Sequence, residues 1–103
     1  MSRNFPTMSF IQPLKEFLLK QGLIYTLREY KLVSCDVYIS GVGVCKREYC
    51  EEITNSNKNI ILEDYVNISG FNSIDEWIKL ASKLTRDSSI MYLYRIELLK
   101  EKE

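Results

Sequence analysis

Residues 22–32 read G-L-I-Y-T-L-R-E-Y-K-L, and this stretch decides the fold class. Beyond Gly22 the side chains alternate with a period of two, the spacing of a strand. Leu23, Tyr25 and Leu27 share one face; Ile24, Thr26, Arg28 and Tyr30 share the other. β-branched and aromatic side chains suit a pleated surface. The pattern predicts a strand over 23–32, with the Leu23 face turned to the core. The second face mixes a hydroxyl, a guanidinium and a phenol with apolar groups, as the lining of a cleft does.

N-terminal to Gly22 the period changes. Leu14, Phe17 and Leu18 fall at i, i+3 and i+4, which predicts a helix over 12–21. Pro13 suits its first turn, where no backbone N–H is needed, and Gly22 stops it. On the other side, 35–39 and 42–53 read as a second and third strand. Gly41 and Gly43 form a turn, bulge or barrel corner between them. Gly41-Val42-Gly43 is no dinucleotide loop: Lys46 stands where the third glycine belongs, and no helix follows. Residues 54–59 are a polar loop, and 60–68 read as one helical turn followed by an extended piece. Ser73-Ile74-Asp75-Glu76 is a capping box. It opens a helix to about Leu84, whose apolar stripe is Ile74, Trp77, Ile78, Ala81 and Leu84. Asp75 sits four residues before Lys79, and Lys83 and Arg86 lie near the C-terminal end, as side-chain pairing and the helix dipole prefer. Residues 87–89 form a turn. Residues 90–99 form a strand that is partly apolar on both faces, so it belongs inside the sheet. Residues 100–103 are a frayed charged tail. Phe17, Leu27, Val37, Trp77, Ile78, Tyr94 and Ile96 are the expected core. This order predicts an α+β domain: a small β-barrel of about five strands flanked by two or three helices.

The chain has 103 residues, room for a single domain over 1–103. Its 46% apolar and 27% charged residues are those of a soluble globular protein. There is no histidine, which removes Ser-His-Asp triads, Cys-His dyads, His-ligated metals and imidazole switches. The three cysteines, Cys35, Cys45 and Cys50, are an odd number without a C-x-x-C, which argues against a disulfide framework or a zinc or redox motif. No apolar run at the N-terminus resembles a signal peptide core and none approaches a membrane span, so a cytoplasmic setting is expected.

Lys+Arg and Asp+Glu both number 14, but they are unevenly placed. Residues 1–47 hold seven basic and three acidic side chains; residues 48–103 hold seven basic and eleven acidic ones. A neutral total conceals a positive face if the fold gathers the first set; otherwise the charges scatter over solvated surface. Thr26 and Arg28 are the first candidates for binding, since a guanidinium fork suits phosphate or a base edge and a hydroxyl two residues away flanks the same ligand. The alternative is a surface arginine paired with an acid. Tyr30, Lys46 and Arg47 add the interleaved aromatics and cations of a single-stranded nucleic-acid surface. The acidic pairs Glu51-Glu52, Glu63-Asp64 and Asp75-Glu76 are sequence neighbours that point apart in strands, and the last is explained by the helix start. No metal or cofactor is expected.

Three stretches, in order, resemble the ASCH domain, a member of the PUA-like group of β-barrels. The first is a helix, a glycine and a strand with T-x-R, here Gly22 to Arg28 with Thr26 and Arg28. The second is a strand pair running into a glycine-containing strand, here 36–53. The third is G-F-x-S-x-x-x-W, here Gly70, Phe71, Ser73 and Trp77, followed by a final strand at 91–98. Ser69-Gly70-Phe71 with Glu76-Trp77 looks like the archaeal branch. The match spans about residues 10–99. The resemblance implies a small barrel with a cleft beside it and a role in RNA metabolism. Family members that act as N4-acetylcytidine amidohydrolases use a lysine three residues before the threonine, the threonine itself, and a glutamate before the G-F opening. Other members are associated with ribonuclease activity. Here the lysine and glutamate positions hold Leu23 and Ser69, so the base and acid of that hydrolysis are missing.

The expected function is therefore RNA binding, to a single-stranded or structured RNA. Thr26, Arg28 and Tyr30 would line the cleft, with Lys46 and Arg47 on its positive approach. The alternatives are a nucleoside amidohydrolase or ribonuclease of the same fold, a small nucleoside ligand, or a regulatory protein-interaction domain.

Overall fold

The computed structural model describes residues 5–54, 56–85 and 90–99, and for 81–85 the backbone alone. Along the chain run β1 (Thr7–Met8), α1 (Gln12–Gln21), β2 (Leu23–Arg28), β3 (Cys35–Ile39) and β4 (Gly43–Ile53). They are followed by α2 (Lys58–Leu62), a 3-10 turn (Val66–Ile68), α3 (Ile74–Thr85) and β5 (Met91–Leu98). The five strands form one mixed sheet in the order β1-β3-β4-β5-β2. β1 runs parallel to β3 and every other pair is antiparallel. The sheet curls into a half-barrel carrying three α-helices, which is the expected α+β architecture. β5 lies inside the sheet between β4 and β2, as its two apolar faces predict.

α1 is helical over the expected residues. Its C-cap Gly22 adopts φ 78°, and the Gly22 N–H closes on the Leu18 carbonyl at 2.7 Å. A side chain at that φ is strained, which is why glycine stands there. At α3 the Ser73 hydroxyl accepts the Glu76 N–H at 3.2 Å. The Glu76 carboxylate takes the Asn72 N–H, also at 3.2 Å, so the capping box reaches one residue further back than expected. The expected turn at 87–89, the tail at 100–103, Arg86, and the side chains of Ala81, Lys83 and Leu84 lie outside the described residues.

β2 ends at Arg28, four residues before the expected end at Leu32. Tertiary bonds take over there. The buried Tyr94 hydroxyl donates to the Tyr30 carbonyl at 2.9 Å and accepts the Leu32 N–H. The Arg47 Nε donates to the Val33 carbonyl at 3.0 Å, and the Ser34 hydroxyl accepts the Tyr49 N–H at 3.0 Å. These side chains give 29–34 the polar partners that a longer ladder would have supplied. Residues 66–68 are a 3-10 turn where an extended piece is expected. The fifth strand is β1, too short to show periodicity in the sequence.

Two cores flank the sheet. One gathers Leu14, Leu18, Ile24, Val37, Ile39, Cys45, Tyr94 and Ile96. The other gathers Leu27, Ile53, Leu62, Trp77, Met91 and Leu93. Of the expected core, Leu27, Val37, Trp77, Tyr94 and Ile96 are buried, while Phe17 and Ile78 pack half-buried at the margins. β2 is buried on both faces: Leu27 is buried on the expected core face, with Leu23 and Tyr25 half-buried, and Ile24 and Thr26 are buried on the other. α1 and the chain leading into it cover the face that the sequence leaves half-polar. β4 serves both cores because it carries a bulge: Tyr49 pairs with Tyr94 and Glu51 with Leu93, leaving Cys50 as the extra residue. No helix among the described residues is long and apolar enough to cross a membrane.

Candidate functional site

The strand order leaves β2 at one edge of the sheet and β1 at the other. A pocket of about 160 Å³ lies against β2 where the two cores meet. Ser9, Phe10 and Ile11, between β1 and α1, form one wall together with Leu14. Thr26, Leu27 and Arg28 of β2 form the second, and Phe71 with Trp77 and Leu80 of α3 the third. Phe71 packs against both cores, so it joins the walls.

Arg28 and Thr26 supply the polar end. The Arg28 guanidinium donates to the Ser9 carbonyl at 2.9 Å and lies 4.8 Å from the Phe10 ring centroid. That bond ties β2 to the segment leaving β1, across the open side of the half-barrel. The buried Nε of Arg28 has no hydrogen-bond partner among the described residues. Burial, and then the nearby Arg47, lower the Arg28 pKa to about 10, so it remains a cation at neutral pH. The ion pairs formed among the described residues belong to Arg95, with Glu48 at 3.3 Å and Glu97 at 3.1 Å, and none reaches Arg28. The Thr26 hydroxyl, on a residue only 7% exposed, makes no hydrogen bond to the described residues. An arginine without a carboxylate and a free hydroxyl therefore sit together at one end of an aromatic pocket.

The other expected site residues are placed differently. Tyr30 is 69% exposed, beyond the end of β2, and does not line the pocket. Lys46 and Arg47 do not form a joint positive approach, because neighbours on a strand point to opposite faces. Lys46 is exposed on the face away from Thr26, paired in register with Asp36 and Glu97. Arg47 is 4% exposed; besides Val33 it donates to the Cys35 sulfur at 3.5 Å. Its role is to hold 29–34 against the sheet. The Lys46 face alternates Lys46 and Arg95 with Asp36, Glu48 and Glu97, a mixed surface rather than a basic one.

Leu23 and Ser69 lie outside the pocket lining. Ser69 is fully buried: its hydroxyl donates to the Val66 carbonyl at 2.7 Å and accepts the Phe71 N–H at 3.1 Å. It shapes the turn that delivers Phe71. Ser9, Phe10, Ile11 and Leu80 were missed as site residues, since only the tertiary fold brings them to β2. No group of three or more His, Cys, Asp or Glu among the described residues is placed to hold a metal ion. No family model, curated protein or solved structure matches the chain.

Proposed function

We propose that the chain is an RNA-binding module that seats one unstacked base in the pocket beside β2. The observation that carries this reading is a convergence. Thr26 and Arg28 of the T-x-R, and Phe71 and Trp77 of the G-F-x-S-x-x-x-W, are distant in sequence but line one cavity. These are residues on which the resemblance to the ASCH domain rests, and RNA metabolism is the setting that resemblance implies. Aromatic walls suit a flat base, and Arg28 with Thr26 would meet its polar edge or the adjoining phosphate. On this reading the protein is a cytoplasmic PUA-like domain of the archaeal ASCH kind. The pocket walls carry no carboxylate, lysine or histidine, so they favour binding over hydrolysis.

The test is a titration of single-stranded RNA, structured RNA and free nucleosides at several salt concentrations. Affinity should fall with salt, each neutralised phosphate of a single strand contributing about −0.7 to the log–log slope. Arg28→Ala and Thr26→Ala should weaken binding. Lys46→Ala, on the far face, should leave it within about twofold, the size of an ordinary surface effect. Equal losses from Lys46→Ala and Arg28→Ala would move the site away from the pocket, and no RNA binding at low salt would end the RNA reading. N4-acetylcytidine should not be hydrolysed; turnover abolished by Thr26→Ala would make the chain an enzyme.

A further inference from the structure

We infer that the Thr26–Arg28 pocket takes a free small molecule: a single aromatic ring bearing a carboxylate. The inference rests on the reading of this pocket as the binding site, and it adds a ligand class to it.

Size comes first. Apolar cavities of about 150 Å³ in protein interiors accept benzene, and this pocket holds about 160 Å³. One six-membered ring fills it, and because the pocket is half open a second fused ring would project beyond its walls. The walls agree with that occupant, since Phe10, Phe71 and Trp77 present aromatic surface and ring pairs gain from offset or edge contacts.

Charge comes second. Arg28 is a largely desolvated cation whose Nε has no hydrogen-bond partner among the described residues, and after burial the neighbouring cation Arg47 is what most disfavours its charge. Burying a cation without a counter-ion is costly, and a bound anion offsets that cost. The guanidinium is planar and presents paired donors, the geometry that matches a carboxylate. The Thr26 hydroxyl, which makes no hydrogen bond to the described residues, supplies one further donor. The pocket therefore has an apolar, ring-sized body and a cationic end, and a benzoate-like acid has the complementary shape and charge.

The probes are benzoate, benzamide and 2-naphthoate, titrated into the full chain and followed by NMR. Benzoate should shift the signals of Thr26, Phe71 and Trp77. Benzamide, the neutral isostere, should bind about tenfold more weakly, the difference between a charge-assisted and a neutral hydrogen bond. Naphthoate should gain little over benzoate, because its second ring would lie outside the pocket walls. Arg28→Gln should abolish the preference for benzoate over benzamide, while Arg95→Gln, on the opposite face, should retain it. If Arg28→Gln does not fold, the three-ligand comparison on the unaltered chain still decides. Benzamide binding as tightly as benzoate, or no benzoate binding at all, overturns the inference. A separate competition arm tests the RNA reading: benzoate that binds the pocket without displacing bound RNA places the RNA elsewhere, and leaves the carboxylate site standing.

Discussion

Removing the hydroxyl of Tyr94 is the sharpest test of how the sheet is closed on one face. Tyr94 is fully buried, and its oxygen serves two backbone groups of 29–34: it donates to the Tyr30 carbonyl and accepts the Leu32 N–H. Tyr94→Phe keeps the ring and its packing. Leaving one buried polar group without a partner costs about 1–3 kcal/mol. Two such groups would cost about 2–6 kcal/mol if 29–34 stayed shut. The segment lies at the surface, however, with Tyr30 69% and Val33 71% exposed. Water can therefore reach part of it, and the expected loss is about 2 kcal/mol, the lower end of that range. Urea unfolding measures the loss, and amide exchange at Leu32 shows whether the segment has lifted. Tyr49→Phe is the control. Its hydroxyl makes no hydrogen bond to the described residues, so the change should cost under about 0.5 kcal/mol. Arg47→Met releases the same segment at Val33, so the double variant should lose less than the sum of the two. If Tyr94→Phe costs no more than Tyr49→Phe and Leu32 exchange is unchanged, the hydroxyl does not hold 29–34, and the end of β2 at Arg28 has another cause.

Trp77 is 2% exposed, and Trp77→Ala should cost roughly 3–5 kcal/mol in chemical unfolding; a loss under about 1 kcal/mol would remove it from the core. Gly70 has φ 86°, and a Cβ there would stand 2.6 Å from a Leu14 methyl, so Gly70→Ala should lower stability by at least about 1–2 kcal/mol. An unchanged melting temperature would show that the turn relaxes freely. Burial raises the Cys45 thiol pKa from 9.0 to about 11, so the unfolded chain loses that proton first and stability should fall as pH rises from 9 to about 11. Arg28 cannot offset the first part of that fall. Its pKa is lowered from 12.5 to about 10, so its contribution rises with pH only above about 10. Urea midpoints across this range should decline less steeply in Cys45→Ala, and equal slopes would assign the effect to other groups.

The local signals in the sequence were sound where the chain's neighbours decide its shape. Gly22 ends α1, Gly41 and Gly43 flank the β3–β4 turn, Ser73 and Glu76 cap α3, and the period of two marks β2 and β5. The losses came where distant residues decide. Tyr94 binds the chain after β2 from 62 to 64 residues away. Arg47 is half of a Lys-Arg pair that reads as solvated charge, yet Val33 and Cys35 bind it inside. The burial of the Ile24 and Thr26 face of β2 depends on α1 lying over it, which no alternation of side chains announces. The site was half legible: Thr26 and Arg28 stand where expected, but the apolar walls come from 9–11 and α3, and the aromatic and basic residues expected beside them are elsewhere.

The bulge at Cys50 acts as a shift of reading frame along β4. Cys45 and Ile53 are an even number of positions apart, so a regular strand would send both to one side. Because Cys50 is not counted in the pairing, Cys45 enters one core and Ile53 the other. The strand is thereby in phase with each core over only part of its length. A deletion of Cys50 would remove the bulge yet leave Tyr49 opposite Tyr94 and Glu51 opposite Leu93, so both ends of β4 would stay in phase with their cores. Point substitutions at Cys50 preserve that phase too, whereas a strand that kept Cys50 and paired it into the ladder would turn Ile53 to the other face. This stretch should therefore tolerate exchange, or even loss, of Cys50 far better than a slip of the pairing beyond it.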